Sequence, residues 1–184
     1  METRRCLQCS SKRIQETVTA ENNVMYSCPD CGYNGGRLFL DDGLAVLDHT
    51  SDGKPRHYSV AAVIIKGPNI LLQNRRYFPY ALSVPAGHLD KGENPQHCVI
   101  REVKEETNLK VDSLKKLFEK EIIGGCRRGV DLHHFHVFKC ECSGTLIKDE
   151  ESLDLIWTPI KELKKDKLTH ATGIILQKLG YLSS

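Results

Sequence analysis

Four charged residues lie within two turns of one predicted helix and have the chemistry of a metal site. The pair Asn94-Pro95 opens this helix, which we predict to continue to about Thr107. Residues three and four apart share a helix face, and like charges stacked there weaken an isolated helix. A bound cation would relieve that repulsion, and Mg²⁺ prefers oxygen ligands. The residues concerned are Arg101, Glu102, Glu105 and Glu106.

The loop before this helix could complete the site. Glu93 can fold back onto the carboxylate cluster, and Gly87 and Gly92 provide the backbone freedom that a tight loop requires. Charge alone would equally describe a solvated helix face. The spacing favours the metal site instead, because the stretch follows the pattern Gly-x5-Glu-x7-Arg-Glu-U-x-Glu-Glu-x-Gly-U, where U is aliphatic.

This stretch resembles the signature box of the Nudix hydrolase family. One position departs from the pattern, since Asn108 stands where the family usually has Gly. That residue ends the helix in a left-handed conformation, which Asn tolerates next best after Gly. The matching positions are Gly87, Glu93, Arg101, Glu102, Val103, Glu105, Glu106 and Leu109.

The resemblance implies a fold, a reaction and a set of site residues. The implied fold belongs to the α/β class and is an α/β/α sandwich around a mixed sheet. The implied reaction is attack of water on a phosphoanhydride bond, helped by Mg²⁺ or Mn²⁺, in a nucleoside diphosphate linked to another group. Arg101 would orient the glutamates, and the backbone at Gly87 would lie close to a metal. The implied metal-binding glutamates are Glu93, Glu102, Glu105 and Glu106.

The general base is left open between two places. Glu105 is one candidate, and Glu150 or Glu151, in the loop before a predicted strand at Leu153, is the other. A solvated turn would explain Asp149-Glu150-Glu151 equally well.

Two arginines and three histidines are further candidates for substrate contact. Arg75 and Arg76 follow a predicted strand and precede several aromatic residues, a combination suited to phosphate contact and base stacking. A surface loop would explain them as well. His133, His134 and His136 lie along one predicted strand, in which His134 and His136 share a face. They could contact substrate, but a solvent-facing or partly buried strand explains them as well.

The N-terminal cysteines form two Cys-x-x-Cys pairs, the ligand spacing typical of a zinc ribbon. So small a module cannot build an adequate core, so metal binding would supply much of its folding energy. We predict a β-hairpin between the pairs, turning at Glu21-Asn22. Cys98, Cys126, Cys140 and Cys142 are interpreted as buried or unpaired thiols. The predicted zinc ligands are Cys6, Cys9, Cys28 and Cys31.

A ribbon ahead of such a domain is similar to the arrangement in the NADH pyrophosphatase branch of the family. That branch carries a Ser-Gln-Pro-Trp-Pro-Phe-Pro-like segment after the box, and none follows here. The resemblance to the branch stops at domain order, and NADH is therefore not the favoured substrate.

The elements that must position these residues fall into three parts. Residues 1–36 are predicted to be the zinc ribbon, residues 37–56 a turn-rich connector, and residues 57–184 the Nudix domain. A hairpin of strands at 57–66 and 70–75 precedes the box, further strands follow it, and helices are expected near 159–166 and 170–180.

Composition limits the partners. Lys+Arg 26 against Asp+Glu 24 gives a net charge of +2, so no general attraction to nucleic acid or anionic membrane is expected. No stretch approaches the roughly 20 apolar residues that cross a bilayer, and the first residues lack a secretion signal. We therefore expect a cytoplasmic protein.

Two other functions remain open at this stage. The first is a non-catalytic sensor in which the fold binds nucleotide and the ribbon contacts nucleic acid or protein. The second is hydrolysis of a capped RNA end held by the ribbon. Retention of every metal-binding glutamate favours the enzyme. Family members are often dimers, which leaves a homodimer open.

Overall fold

The computed structural model describes residues 3–182, which form one large mixed sheet with a helix on each face and a small N-terminal module. The helices are α1 (Pro95–Thr107) and α2 (His170–Lys178). The strands are β1 (Thr3–Arg5), β2 (Gln15–Val18), β3 (Val24–Ser27), β4 (Asn34–Gly35), β5 (Phe39–Asp41), β6 (Leu47–His49), β7 (Pro55–Lys66), β8 (Asn69–Arg75), β9 (Leu82–Ser83), β10 (Ala86–His88), β11 (Lys110–Ile123), β12 (Leu132–Ser143) and β13 (Ser152–Pro159).

The large sheet has the strand order β11-β12-β7-β8-β13. β12 runs parallel to β7, whereas the other neighbours along this path are antiparallel. β6 and β10 also pair with β7, and β9 pairs with β8. The pairing makes the sheet mixed, as predicted.

Strand β7 forms the centre of the molecule because both of its faces are buried. Val60 and Ile64 point toward α1, whereas Ala61 and Val63 point toward α2. Successive side chains of a strand alternate between faces, so an uninterrupted apolar run supplies two cores at once. The result is a three-layered α/β/α sandwich.

The N-terminal module contains the predicted hairpin. β2 and β3 pair antiparallel, Asn22 adopts a positive φ of 63° in the turn between them, and β4 adds a third strand. β1 pairs with β5 beside this small sheet. Its apolar cluster is small and consists of Val24, Tyr26, Leu38 and Leu40, with Ile14 and Tyr77 packed against it.

The segment 37–56 differs from the plain connector that its turn-rich composition predicts. It contains β5 and β6, and its Ala45 bridges Asp90 in the loop before α1. The turn-formers Gly43 and Gly53 do occupy turns, both with positive φ. Between them Ala45 is buried and Val46 packs against the core cluster on the α1 side, whereas Leu44 is 60% exposed, so the segment joins the fold only in part. The division of the chain at residues 36 and 57 stays a prediction.

The tail is less helical than predicted. The segment near 159–166 forms two single 3₁₀ turns, Ile160–Glu162 and Lys165–Lys167, because Leu163 between them is extended. α2 begins at the predicted residue, His170. Within residues 3–182, neither helix is long and apolar enough to cross a membrane.

Helix α1 has the predicted caps at both ends. The Asn94 side chain accepts a hydrogen bond from the Gln96 N–H at 2.8 Å, and Pro95 starts the helix. Asn108 ends it in the left-handed region with φ 59°, and its N–H donates to the Lys104 carbonyl oxygen. Asn108 Nδ2 also donates to the Thr145 carbonyl oxygen at 3.2 Å.

We expect Asn108→Ala to destabilise the protein by about 1–2 kcal/mol, because alanine resists the left-handed conformation. Asn108→Gly is the matched control, and we expect its stability to stay within about 0.5 kcal/mol of the parent. Urea unfolding followed by circular dichroism measures both. Equal stability of the alanine and glycine variants would contradict this account of the helix end.

Candidate functional site

The glutamates of α1 divide into two buried and one exposed. Side-chain exposure is 13% for Glu102 and 58% for Glu105, and Glu106 is 6% exposed. Glu102 and Glu106 are one turn apart and share the face of α1 that meets β10. Glu105 extends into the open side of the site. The predicted cluster is therefore brought together, but its members experience different environments.

The two buried carboxyl groups are held in a state that disfavours charge. Burial raises the pKa of Glu102 to about 7, against the opposing effect of the Arg101 guanidinium. Burial also raises the pKa of Glu106 well above its usual range, and the neighbouring Glu102 raises it further. The Ala86 N–H donates to Glu106 Oε2 at 2.9 Å and favours the charged form. Two buried carboxylates with this little compensation fit a divalent cation.

Arg101 ties the helix to the preceding loop, as the sequence predicted for an orienting residue. Its Nε donates to Glu93 Oε1 at 3.0 Å, and one terminal nitrogen donates to Glu93 Oε2 at 2.9 Å. The other terminal nitrogen donates to Glu102 at 2.8 Å and to Glu105 at 3.1 Å. The guanidinium lowers the pKa of Glu93, so this carboxylate stays charged. The single guanidinium of Arg101 thus holds three of the four glutamates in place.

Gly87 permits the close approach of β10 to α1. A side-chain carbon built at this position would overlap the Glu102 carboxyl group. Only glycine lacks that atom, so the strand backbone can lie directly against the buried carboxylates. The predicted nearness of the Gly87 backbone to the site agrees with this packing.

An open cleft of about 360 Å³ lies over these residues. One wall is α1 with β10, and the opposite wall is the glycine-rich loop 124–131 between β11 and β12, together with the segment around Asp42. Acidic and basic side chains alternate around the cleft, as suits charged phosphate groups with their cations. The charged lining residues are Asp42, Arg75, Asp90, Arg101, Glu102, Glu105, Glu106, Arg127, Arg128, Asp149 and Glu151.

The loop before β13 places one of its two candidate bases in the cleft. Glu151 lines the cleft, and its carboxylate lies 3.3 Å from a terminal nitrogen of Arg127. Its charge raises the pKa of Glu102. Glu150 is exposed and is not among the described lining residues. Geometry therefore separates two neighbours that the sequence leaves equivalent.

Of the two predicted substrate-binding arginines, only Arg75 is among the described residues that line the cleft. Its Nε is buried and has no hydrogen-bond partner within residues 3–182. The Arg76 Nε is likewise buried without a hydrogen-bond partner within that range, and its carbonyl oxygen accepts the Val24 N–H at 3.1 Å.

Sequence reasoning missed the arginines of the opposite wall. Arg128 pairs with Asp42 at 2.6 Å, and the Arg127 guanidinium lies 4.1 Å from the centre of the Tyr77 ring. The available signal was the run Gly-Gly-Cys-Arg-Arg-Gly at 124–129, a glycine-rich turn carrying two adjacent cations. That run lies far from the box in the chain, and only the pairing of β11 with β12 brings it over the cleft.

A second, more apolar pocket of about 220 Å³ adjoins the cleft. The two share Arg75, Gly87 and His88, among others, so one ligand could occupy both. Apolar pockets beside a few fixed polar groups are typical of sites for small organic molecules. The apolar side chains lining it are Ala61, Phe78, Pro79, Val84, Ala86, Phe135, Ala171 and Ile175.

The histidines predicted from the alternating strand β12 divide between its two faces. His134 and His136 lie on the outer face beside Glu119, with His136 Nδ1 at 2.9 Å from its carboxylate. Neither is among the described lining residues of the two pockets. His133 points the other way and lines the apolar pocket.

The four N-terminal cysteines converge. Cys6 and Cys31 have their sulfur atoms 3.6 Å apart, as do Cys9 and Cys28, and all four lie within 4.8 Å of one another. A tetrahedral zinc with bonds of about 2.3 Å to sulfur needs a sulfur separation of roughly 3.8 Å. These four thiols could therefore hold Zn²⁺ after a small adjustment.

Comparison with known proteins gives consistent results. A family model described as NUDIX domain matches residues 55–179. The chain is 33% identical over 111 residues to the NAD-capped RNA hydrolase NudC of Vibrio atlanticus (strain LGP32), covering 58% of this chain and 39% of that protein. It is 30% identical over 90 residues to the NAD-capped RNA hydrolase NudC of Pseudomonas aeruginosa (strain LESB58), covering 46% of this chain and 32% of that one. The chain thus spans less than half the length of these curated relatives.

A solved structure matches the same part of the chain. The MutT NUDIX hydrolase from Burkholderia pseudomallei superposes with a TM-score of 0.61 at 25% identity, covering 67% of this chain and 98% of that one. The predicted sandwich and the predicted family resemblance are both confirmed. Because the family model matches more than half of its residues, the chain belongs to the Nudix family.

Proposed function

We propose that this protein hydrolyses a phosphoanhydride bond in a nucleoside diphosphate linked to another moiety, with Mg²⁺ or Mn²⁺ as cofactor. One observation carries the proposal: Glu102 and Glu106 are buried side by side at the base of a cleft whose rim carries arginines. Buried carboxylates are costly, and Arg101 offsets only part of that cost at Glu102; cations bound together with a phosphate group would offset more of it.

The positions of the residues around the cleft indicate which of them would hold the cations. Glu102, Glu105 and Glu106 supply carboxylate oxygens from α1, and the Gly87 backbone and Glu93 supply the edge of the site. When bound, such ions neutralise the diphosphate, lower the pKa of bound water and stabilise the leaving oxygen. Arg101 is a positioning residue, since it holds Glu93, Glu102 and Glu105 in one arrangement through five nitrogen–oxygen contacts to the three carboxylates and the His88 carbonyl.

We assign the general base to Glu151, with Glu105 as the competing candidate. Glu151 faces the cleft from the wall opposite α1, where it could accept a proton from an attacking water. Both carboxylates contact an arginine, Glu105 at 3.1 Å from Arg101 and Glu151 at 3.3 Å from Arg127. Glu105, however, lies beside the other glutamates of α1 and would be drawn into metal binding, which leaves it less free to accept a proton.

The shape and charge of the two pockets support the substrate class. Arg75, Arg127 and Arg128 surround the cleft and suit a diphosphate, because guanidinium groups bind phosphate oxygens in pairs. The adjoining apolar pocket suits the base or other organic end of the substrate. The relatives named NAD-capped RNA hydrolase support including NAD and NAD-capped RNA beside ADP-ribose and nucleoside triphosphates as candidates.

We also propose that Cys6, Cys9, Cys28 and Cys31 bind a structural Zn²⁺ that stabilises the N-terminal module. Its apolar cluster is too small to support independent folding, so the metal would supply much of the stability. The segment 37–56 links this module to the cleft wall: the Tyr33 hydroxyl donates to the Arg37 carbonyl oxygen at 2.7 Å, and the Arg37 side chain pairs with Asp131 at 2.6 Å and donates to the Cys126 carbonyl oxygen at 3.0 Å.

The first test measures Mg²⁺-dependent hydrolysis of ADP-ribose, NAD, nucleoside triphosphates and NAD-capped RNA. We expect Glu151→Gln to lower kcat about 10²–10⁴-fold on the substrate that the parent hydrolyses, as is typical for loss of a general base. Glu150→Gln is the matched control and should retain the parental kcat, because this neighbour lies outside the cleft. If Glu105→Gln abolishes turnover and Glu151→Gln does not, the base is Glu105. Binding of a nucleotide without any hydrolysis would favour the sensor instead.

The second test uses the pH dependence of stability in the absence of divalent ions. Because the pKa of Glu106 is raised in the folded state, the folded protein binds more protons than the unfolded chain above pH 4.5, so stability falls as pH rises from there. We expect Glu106→Gln to unfold at a higher temperature than the parent at pH 8, because the amide removes a buried group whose ionisation the fold disfavours. The difference should shrink at pH 5.

Mg²⁺ provides the reciprocal measurement. It should raise the unfolding temperature of the parent at pH 8 and have little effect on Glu106→Gln, since one ligand is lost. The exposed Glu105→Gln variant controls for general charge removal and should not gain stability without metal. A parent that is as stable at pH 8 as its Glu106→Gln variant would contradict the electrostatic description.

The third test concerns the N-terminal zinc. We expect Cys28→Ser to lose about one zinc ion per chain and to expose residues 1–36 to protease, because three thiolates bind zinc less well than four. Cys142→Ser is the control, since this thiol lies outside the described cysteine and histidine groups. Elemental analysis and mass spectrometry of the cleaved fragments give both quantities. Full zinc content in Cys28→Ser would exclude the assignment.

A further inference from the structure

Three imidazoles and one thiol converge between the cleft and the centre of the sheet. Their ligand atoms, one from each side chain, all lie within 4.8 Å of one another. They come from four separate parts of the chain: His57 from β7, His88 from β10, Cys126 from the loop 124–131, and His133 from β12. Such a group is brought together by the fold alone, because no short sequence motif contains it.

The group is compact, and two of its members are buried, whereas His88 and Cys126 are partly exposed and line the cleft. His57 and His133 are 3% and 4% exposed. The ring centres are 4.6 Å apart for His57 and His88, 5.6 Å for His57 and His133, and 5.8 Å for His88 and His133. Cys126 Sγ lies 3.9 Å from His57 Nδ1. The four side chains therefore surround one point from different directions.

These distances are close to those of a tetrahedral zinc site. With bonds of about 2.0–2.1 Å to nitrogen and 2.3 Å to sulfur, the ligand atoms of such a site are roughly 3.4–3.6 Å apart. The sulfur–nitrogen separation of 3.9 Å exceeds that by a few tenths of an ångström. The remaining ligand atoms lie within 4.8 Å of one another, so the pairs would have to draw closer by at most about 1.4 Å to bind one ion.

The chemical state of the group also suits metal binding. Burial lowers the pKa of His57 and His133 to about 4, so both rings are neutral at neutral pH, which is the form that binds metals. The charged groups acting on these rings include Asp41, Asp42, Asp131, Arg37 and Arg128.

We propose that His57, His88, Cys126 and His133 form a second zinc site, separate from the four N-terminal cysteines and from the glutamates of α1. Three imidazoles and a thiolate select a late first-row divalent ion such as Zn²⁺ over Mg²⁺, which prefers oxygen ligands. On binding, the Cys126 thiol releases its proton to solvent and the sulfur becomes a thiolate ligand. All four positions are filled by protein, as in structural zinc sites.

The consequence for the cleft follows from the neighbours of the ligands. Cys126 directly precedes Arg127 and Arg128, which form one wall, and His88 directly follows Gly87, which touches Glu102 on the other. A zinc ion would link the two walls and hold the arginines at a fixed distance from the carboxylates. This role in positioning rests on the proposed function, whereas the zinc site itself does not.

The test compares zinc per chain in the purified full-length protein and its variants. We expect the double variant Cys126→Ser with His57→Gln to contain about one zinc ion per chain less than the parent. The matched double variant Cys142→Ser with His97→Gln changes a thiol and an exposed ring outside the group and should keep the parental content. This difference does not depend on occupancy at the N-terminal cysteines. Parental zinc content in the first double variant would overturn the proposal.

X-ray absorption at the zinc edge gives a second, independent measurement that needs no disruptive substitution in the site. It should be recorded on a His136→Gln chain, because Glu119, His134 and His136 form an exposed group that could add histidine ligands of its own. We expect the spectrum to show nitrogen neighbours of zinc, with the scattering typical of imidazole rings, as well as sulfur neighbours. Sulfur neighbours alone, or a folded chain without zinc, would overturn the proposal even if the double variant fails to fold.

Kinetics then separate the zinc site from the proposed function. In a chain that hydrolyses a nucleotide, loss of this zinc should raise KM more than it lowers kcat, since it releases the arginines and leaves the α1 glutamates in place. A chain that hydrolyses nothing but shows the zinc difference would support the zinc site and refute the enzyme. An unchanged KM after zinc loss would remove the positioning role.

Discussion

The structure depends on burying two carboxyl groups on one face of a short helix. Glu102 and Glu106 occupy positions of α1 where an apolar residue would be expected, and each is desolvated against β10. Such an arrangement opposes folding, so the remaining features of the helix must outweigh it. Capping at Asn94 and Asn108 and the burial of Val99 and Val103 provide that stability.

The guanidinium of Arg101 is the fixed counter-charge of this arrangement. It contacts three carboxylates and a backbone carbonyl, so the acidic face is organised before any ligand arrives. Preorganised charge is effective because little rearrangement is needed when a cation or phosphate binds. The same reasoning explains the glycine at position 87, where any side chain would displace a carboxylate from its place.

The opposite wall of the cleft is formed by the loop 124–131 and the segment around Asp42, both of which lie outside the signature box. Arg128 is fixed by Asp42 from the segment 37–56, and Arg127 is flanked by Tyr77 and Glu151. Arg37, whose carbonyl oxygen accepts the Tyr33 hydroxyl of the N-terminal module, donates to the Cys126 carbonyl oxygen and to Asp131 of the same loop. The N-terminal module therefore supports the loop that carries the cleft arginines, and its stability and the geometry of the site are physically connected.

The sequence by itself determined the helix, its caps, the three glutamates within two turns of that helix, and the two Cys-x-x-Cys pairs. All of these are local: the spacing of three or four residues defines a helix face, and two intervening residues define a metal knuckle. The tertiary structure alone decided which glutamates are buried, that Glu151 and not Glu150 is among the described cleft-lining residues, and that the same holds for Arg75 and not Arg76. It also placed Arg127, Arg128 and the three inward histidines beside the box. Those outcomes depend on the pairing of strands that are distant in the chain, above all β12 with β7. The alternation of side chains along a strand indicates its buried face but does not predict which strand lies next to it.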